Sequence, residues 1–299
     1  MSKLVQCVPN FSEGRDQRVI DLLVSTARGV PDVTLVDHSS DTSHNRSVFT
    51  LVGSPEGVAE AAFRLCKIAS ENIDMTKHTG EHPRMGATDV IPFIPVKDCT
   101  TGECIELCKK VAKRINDELD IPIFLYEDAC TSEDRRNLAS VRKGQFEGMP
   151  KKLLQEEWAP DYGERKIHPT AGATAVGVRF PLIAYNVNLG TSDINIANSI
   201  AKTVRGSSGG FKFVKGIGVM LEDRNIAQVS MNMVNYEGTP IYRVFEMIKM
   251  EAERWGVPVI GSEIVGLTPA KALIDCAEYY LKIEDFDYRT QVLENHLLD

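Results

Sequence analysis

Two histidines, a glutamate, an arginine and an aspartate crowd into the twelve residues His78-Thr79-Gly80-Glu81-His82-Pro83-Arg84-Met85-Gly86-Ala87-Thr88-Asp89. Gly80, Pro83 and Gly86 interrupt the run, which is expected to form neither a regular helix nor a central strand. A neutral imidazole with an ordinary pKa of about 6.5 can take a proton from an amine or from water at physiological pH. Catalytic side chains concentrate on irregular segments held by regular ones. This segment falls between a long helical pattern and the apolar run 90–96.

A metal offers a second chemistry for the same residues. His78-Thr79-Gly80-Glu81-His82 matches the H-x-x-E-H pattern of zinc peptidases. That pattern works only on a helix, where side chains four apart meet one ion. Gly80 and Pro83 oppose such a helix, so no metal is expected. A second polar cluster, residues 37–46, reads as a loop between strands. In it Asp37 or Asp41 would orient a catalytic histidine, while Arg46, like Arg84, would fork a substrate carboxylate. A third stretch, from Gly163 onward, is small and flexible and carries Arg165 and Lys166. It has no G-x-G-x-x-G or Walker pattern, so it announces no nucleotide.

The elements that must hold these groups follow from periodicity. Strands are expected at 4–9, 33–36, 47–52, 90–96 and 121–126. Helices fit 16–28, 55–72 and 102–118, the second capped by Ser54 with Pro55 at its first position. Residues 127–180 are less regular, with a polar helical piece near 135–142 and a turn-rich stretch from 160 to 177. The rhythm then returns with strands at 182–189, 217–221, 226–232 and 257–265. Helices fit 193–204, 240–255 and 269–281, the last capped by Thr268. Both halves therefore read strand–helix–strand–strand–helix–strand. That order suits an α+β chain of two ferredoxin-like subdomains, residues 1–178 and 179–299, each a sheet with helices on one face. A cleft between them is the expected ligand site.

Composition narrows the chemistry. A formal charge of −8 over 299 residues argues against nucleic acid, which needs a basic face. Anionic small molecules would need a locally positive pocket. The seven cysteines form neither a disulfide framework nor a metal template, and structural roles are expected for all of them. No apolar run is long enough for a signal peptide or a membrane span, so a cytoplasmic protein is expected.

Several segments together carry a resemblance: Val8-Pro9-Asn10-Phe11-Ser12-Glu13-Gly14, His44-Asn45-Arg46-Ser47-Val48 and Gly80-Glu81-His82-Pro83-Arg84-Met85-Gly86-Ala87. Residues 153–160 with Trp158, Gly172-Ala173-Thr174-Ala175 and Val265-Gly266-Leu267 add to it. The chain closely resembles the glutamate formiminotransferases along nearly its whole length. The resemblance implies transfer of a formimino group from N-formimino-L-glutamate to N5 of tetrahydrofolate, a co-substrate, with His82 as general base and without a metal. It implies that folate is contacted by Gly163, Glu164, Arg165, Lys166, Ile167, His168, Pro169, Thr170, Ala171 and Gly172, in the link between subdomains. It further implies a homodimer and a monofunctional form served by a separate cyclodeaminase. An acidic residue that many members carry two positions past Asp37 is Ser39 here, which leaves the partner of His82 open between Asp37 and Asp41. The competing readings are a metal-dependent hydrolase of formiminoglutamate and a non-catalytic folate-binding homologue.

Overall fold

The computed structural model describes residues 3–296. The chain divides into two compact units, Met1–Arg179 and Phe180–Asp299.

The first unit opens with β1 (Leu4–Cys7), inside the strand expected at 4–9, and β2 (Asn10–Phe11), which lies beyond its expected end. Pro9 stands between them and supplies no N–H to the ladder. Asp16 caps α1 (Gln17–Arg28) by accepting from the Arg18 N–H, and the helix buries Val19, Ile20, Leu23 and Ala27 on one face. β3 (Val33–Asp41) and β4 (Arg46–Gly53) form a hairpin. Ser54 accepts from the Gly57 N–H to start α2 (Pro55–Asn72). The site segment follows, then β5 (Thr88–Lys97). A capping box between Thr100 and Glu103 starts α3 (Thr101–Leu119), which leads to β6 (Ile123–Glu127). The short helices α4 (Leu138–Arg142) and α5 (Gln145–Lys152) precede β7 (Thr174–Val178).

The pairing β3–β4–β1–β5 is antiparallel throughout and is the 4-1-3-2 order of a ferredoxin-like unit. Two strands extend that sheet. β7 pairs parallel with β5, and β6 parallel with β7. Parallel strands require cover on both faces. Here α2 and α3 pack Leu65, Ala69, Cys104 and Val111 against Ile91, Phe93, Leu125 and Val176. On the other face Val141 of α4 and Met149 of α5 pack with Val90, Phe124, Tyr126 and Ala175.

Residues 37–41 are not a loop but the outer half of β3, paired from Asp37↔Thr50 to Asp41↔Arg46. The turn-rich stretch around Gly163–Gly172 is not the link between subdomains, because it lies inside the first unit ahead of β7.

The second unit repeats the plan with β8 (Ile183–Leu189), α6 (Ile194–Val204), β9 (Val214–Leu221), β10 (Ile226–Met233), α7 (Ile241–Arg254) and β11 (Val259–Val265). Its sheet order β11–β8–β10–β9 is again 4-1-3-2. α8 (Ala270–Leu281) follows with Pro269 at its cap position; Thr268 does not cap it. All seven cysteines are free thiols, and Cys7, Cys66, Cys104 and Cys108 are buried.

Candidate active site

Three segments far apart in sequence converge in the first unit. β2 lies between β4 and β5, with Asn10 opposite Val48 and Val90. Beyond it the Ser12 N–H donates to the Ala87 carbonyl (2.9 Å) and its hydroxyl to the Gly86 carbonyl (2.8 Å). The β3–β4 turn is fixed by Asn45, held at φ +48. Its amide oxygen accepts from the Gly14 N–H (2.9 Å), and its amide nitrogen donates to the Thr79 carbonyl (3.0 Å). Gly80 packs so closely on this turn that a Cβ would sit 2.3 Å from the His44 carbonyl oxygen. Phe11, Ser12, His44, Asn45, Arg46, His78, His82, Arg84 and Asp89 thereby line one narrow concavity. The concavity is narrow and its walls are mostly polar side chains.

The two histidines of the site segment differ sharply. The His78 Nδ1 accepts from Arg84 Nε (3.0 Å), which fixes its proton on Nε2, facing the Asn45 carbonyl at 3.0 Å. Both ring nitrogens are thus committed, and burial lowers the pKa of the ring. The zinc reading needs a free lone pair on His78 and a helix through His82, and neither is present. His82 is half-buried. Burial, then the charges of Arg46, Arg142 and His44, push its pKa down to about 3. The ring is a neutral imidazole at physiological pH.

The structure redistributes the expected partners. Asp41 does not reach His82. Its carboxylate takes the His44 backbone N–H (2.7 Å) and stands 3.0 Å from His44 Nδ1, which lowers the Asp41 pKa. The His44 ring in turn lies 6.2 Å from the His82 ring, centroid to centroid. Asp37 is four residues further along β3, about 13 Å away at strand rise, and pairs with Thr50. Arg84 is also not free to fork a substrate carboxylate. Its Nη2 and Nη1 grip Glu147 at 2.7 and 3.0 Å, Nη1 also holds Gln145 (2.8 Å), and Nε holds His78. With side-chain exposure of 8%, it is a buried clamp between the site segment and α5.

Arg46 keeps the role open. It is largely buried, which lowers its pKa, and its Nη2 donates to Asn10 Oδ1. Its Nε is buried without a partner. Asp89, fully buried at the start of β5, accepts from the Met85 N–H (3.0 Å) and from Arg142 of α4. Arg142, 53 residues from Asp89, had no local signature to mark it.

The Gly163–Gly172 stretch adjoins the site through its second half. Ala87 N–H donates to Ala171 O (2.9 Å), Ala173 N–H to Met85 O (3.0 Å) and Met75 N–H to Thr170 O (2.8 Å). Gly86 and Gly172 bridge face to face. Gly172 has φ +73, and a Cβ there would lie 2.3 Å from the Met85 carbonyl. Gly163, Glu164, Arg165 and Lys166 stand exposed, while Ile167, His168 and Thr170 are half-buried and Pro169 exposed.

Known proteins match along this same chain. The family model for the formiminotransferase domain, N-terminal subdomain, covers residues 4–179, and that for the formiminotransferase domain covers 184–296. A glutamate formimidoyltransferase of Streptococcus pyogenes serotype M1 is 70% identical over 298 residues, covering 100% of both chains. One from Thermoplasma acidophilum is 46% identical over 95% of this chain and 94% of its own. A formimidoyltransferase-cyclodeaminase of Dictyostelium discoideum is 47% identical over 95% of this chain, which spans only 54% of that longer protein.

Proposed function

Because this chain belongs to the formiminotransferase family, we propose that it is a glutamate formimidoyltransferase in which His82 is the general base. The reaction moves the formimino group of N-formimino-L-glutamate to N5 of tetrahydrofolate, releasing L-glutamate. The observation that carries the role of His82 is its setting: a half-buried imidazole lining the same concavity as Arg46, on a segment bonded directly to Thr170–Ala173.

The N5 amine attacks the formimino carbon, and as that bond forms His82 takes the N5 proton. The tetrahedral intermediate then collapses with cleavage of the bond to the glutamate nitrogen. The imidazolium returns its proton to that nitrogen, so the base is regenerated and glutamate leaves. Arg46 receives a donor carboxylate through its unpartnered Nε. Tetrahydrofolate is assigned to residues 163–172, whose second half is bonded directly to the segment carrying His82. Holding both reactants beside one imidazole supplies much of the rate through proximity. Asp89 has its oxygens engaged by Met85 and Arg142, so it supports the site and does not polarise the formimino group.

The same reading makes the protein a cytoplasmic homodimer whose product passes to a cyclodeaminase. Among the described residues no helix is long and apolar enough to cross a membrane. The direct test is a spectroscopic assay of purified protein for 5-formiminotetrahydrofolate, with N-formimino- and N-formyl-L-glutamate compared as donors. Turnover with the formimino donor is expected; absence of product from either donor contradicts the reading.

A further inference from the structure

We infer that Arg142 contacts substrate: with Arg46 it forms a two-guanidinium seat for the carboxylate on the carbon next to the transferred group. The inference rests on the formimidoyltransferase reading and adds a residue and a specificity to it.

Arg142 ends α4 and is only 16% exposed. One of its terminal nitrogens is held by Asp89, whose second oxygen is already taken by the Met85 N–H. The Arg142 Nε is buried with no partner, as is the Arg46 Nε. Buried donors are nearly always satisfied, and each exception needs a cause. Arg46 lines the concavity with His82, and Arg142 lies behind its wall, bonded to Asp89, so the two orphaned donors have a common cause if an anion completes them.

Charge points the same way. Arg46 and Arg142 stand close enough that Arg142 is the second cause, after burial, of the lowered Arg46 pKa. Asp89 is the buried carboxylate beside them; Asp41, the other acid that acts on Arg46, is exposed and bonded to His44, so inside the site one positive charge is left over. Leaving that charge uncompensated in a half-dry site is costly. A bound carboxylate removes the cost and offers acceptors to both orphans.

The α-carboxylate of the donor fits better than the distal one. It sits on the carbon bearing the formimino nitrogen, so a donor reaching His82 must bring it into the same concavity as Arg46 and Asp89, the residue that holds Arg142. The position of Arg142 is itself built. Lys152 Nζ donates to the carbonyls of Ser140 (2.5 Å) and Val141 (2.6 Å) at the end of α4 and packs over the Trp158 ring at 3.7 Å. A cation on the last carbonyls of a helix steadies that end, which makes Lys152 a positioning residue for Arg142.

The test compares N-formimino-L-glutamate with its α-carboxamide analogue on the wild type, Arg142→Gln and Arg142→Lys. For the wild type the carboxamide is expected to be the poorer donor. Arg142→Gln should lower kcat/KM for the acid about 10- to 100-fold, the worth of a charged hydrogen bond. The loss should fall mainly on KM and largely vanish for the carboxamide. Arg142→Lys should recover part of it, as a charge without the fork. Equal losses on both donors, or a wild type indifferent to the carboxamide, would overturn the seat. The second comparison needs no variant to fold. A binding measurement separates this inference from the reaction itself. L-glutamate should raise the NMR titration midpoint of His82 in the wild type, and L-isoglutamine should not. If that shift occurs without any formimino transfer, the reaction is wrong and the seat stands. Turnover without the shift overturns the seat and leaves the reaction standing.

Discussion

The His44 and His82 rings stand 6.2 Å apart at 62°, and the carboxylate beside them, Asp41, is bonded to His44 and not to His82. The acid–histidine pair in this site is therefore one residue removed from the proposed base. Asp41→Asn should reduce kcat by less than about tenfold, far short of the 10²- to 10⁴-fold worth of a general base. A loss as large as that of a His82 variant would show that Asp41 orients His82 during turnover.

Arg84 gives a contrasting expectation, because its fork is filled by Glu147, Gln145 and His78. Arg84→Ala should destabilise the fold by about 1–3 kcal/mol, since it strips partners from His78 and α5. The exposure of Glu147 keeps the cost at that level and below that of a fully buried pair. Urea denaturation measures it. Arg84→Lys, which keeps the charge, should leave the donor KM within a few-fold. A large rise in KM with unchanged stability would restore Arg84 as a carboxylate ligand.

The bridge between Gly86 and Gly172 ties the site segment to the stretch assigned to folate. In Gly86→Ala the added carbon would fall 2.2 Å from the Ala173 carbonyl oxygen, a backbone atom that cannot swing aside. A loss of stability of about 2 kcal/mol or more is expected, together with weaker tetrahydrofolate binding by fluorescence titration. Unchanged folate affinity would separate the two segments functionally.

Much of this site could be read from residue types. Gly80, Pro83 and Gly86 announced an irregular segment, and capping signals such as Ser54–Pro55 placed the helices. The pieces that escaped share a cause: their signal is not local. Residues 37–41 are polar and line an edge strand with little burial, so the alternation that marks a strand is missing. β7, Thr174-Ala-Val-Gly-Val178, is buried on both faces and composed of small residues, and it resembled a turn. Arg142 reads as one more charge on a polar helix until the fold sets it against Asp89.

His82 also sets a pH dependence of stability. Its pKa is held near 3 in the native protein, against about 6.5 unfolded. Between those values the unfolded chain binds a proton that the folded chain does not, so stability falls as pH drops from about 6.5 towards 3. Above pH 7 the group contributes no slope. Urea midpoints at pH 7.5 and pH 5 should therefore separate further in the wild type than in His82→Gln. Equal separations would mean that the imidazole is not held neutral.

The imidazole at position 82 is the centre of the site, and one paired measurement tests its role directly. In His82→Asn, kcat for formimino transfer and the Kd for tetrahydrofolate are determined on the same preparation. The expected result is a fall in kcat of about 10²- to 10⁴-fold with a Kd within a few-fold of the wild type. A variant that binds folate and still transfers the formimino group at close to the wild-type rate would contradict it.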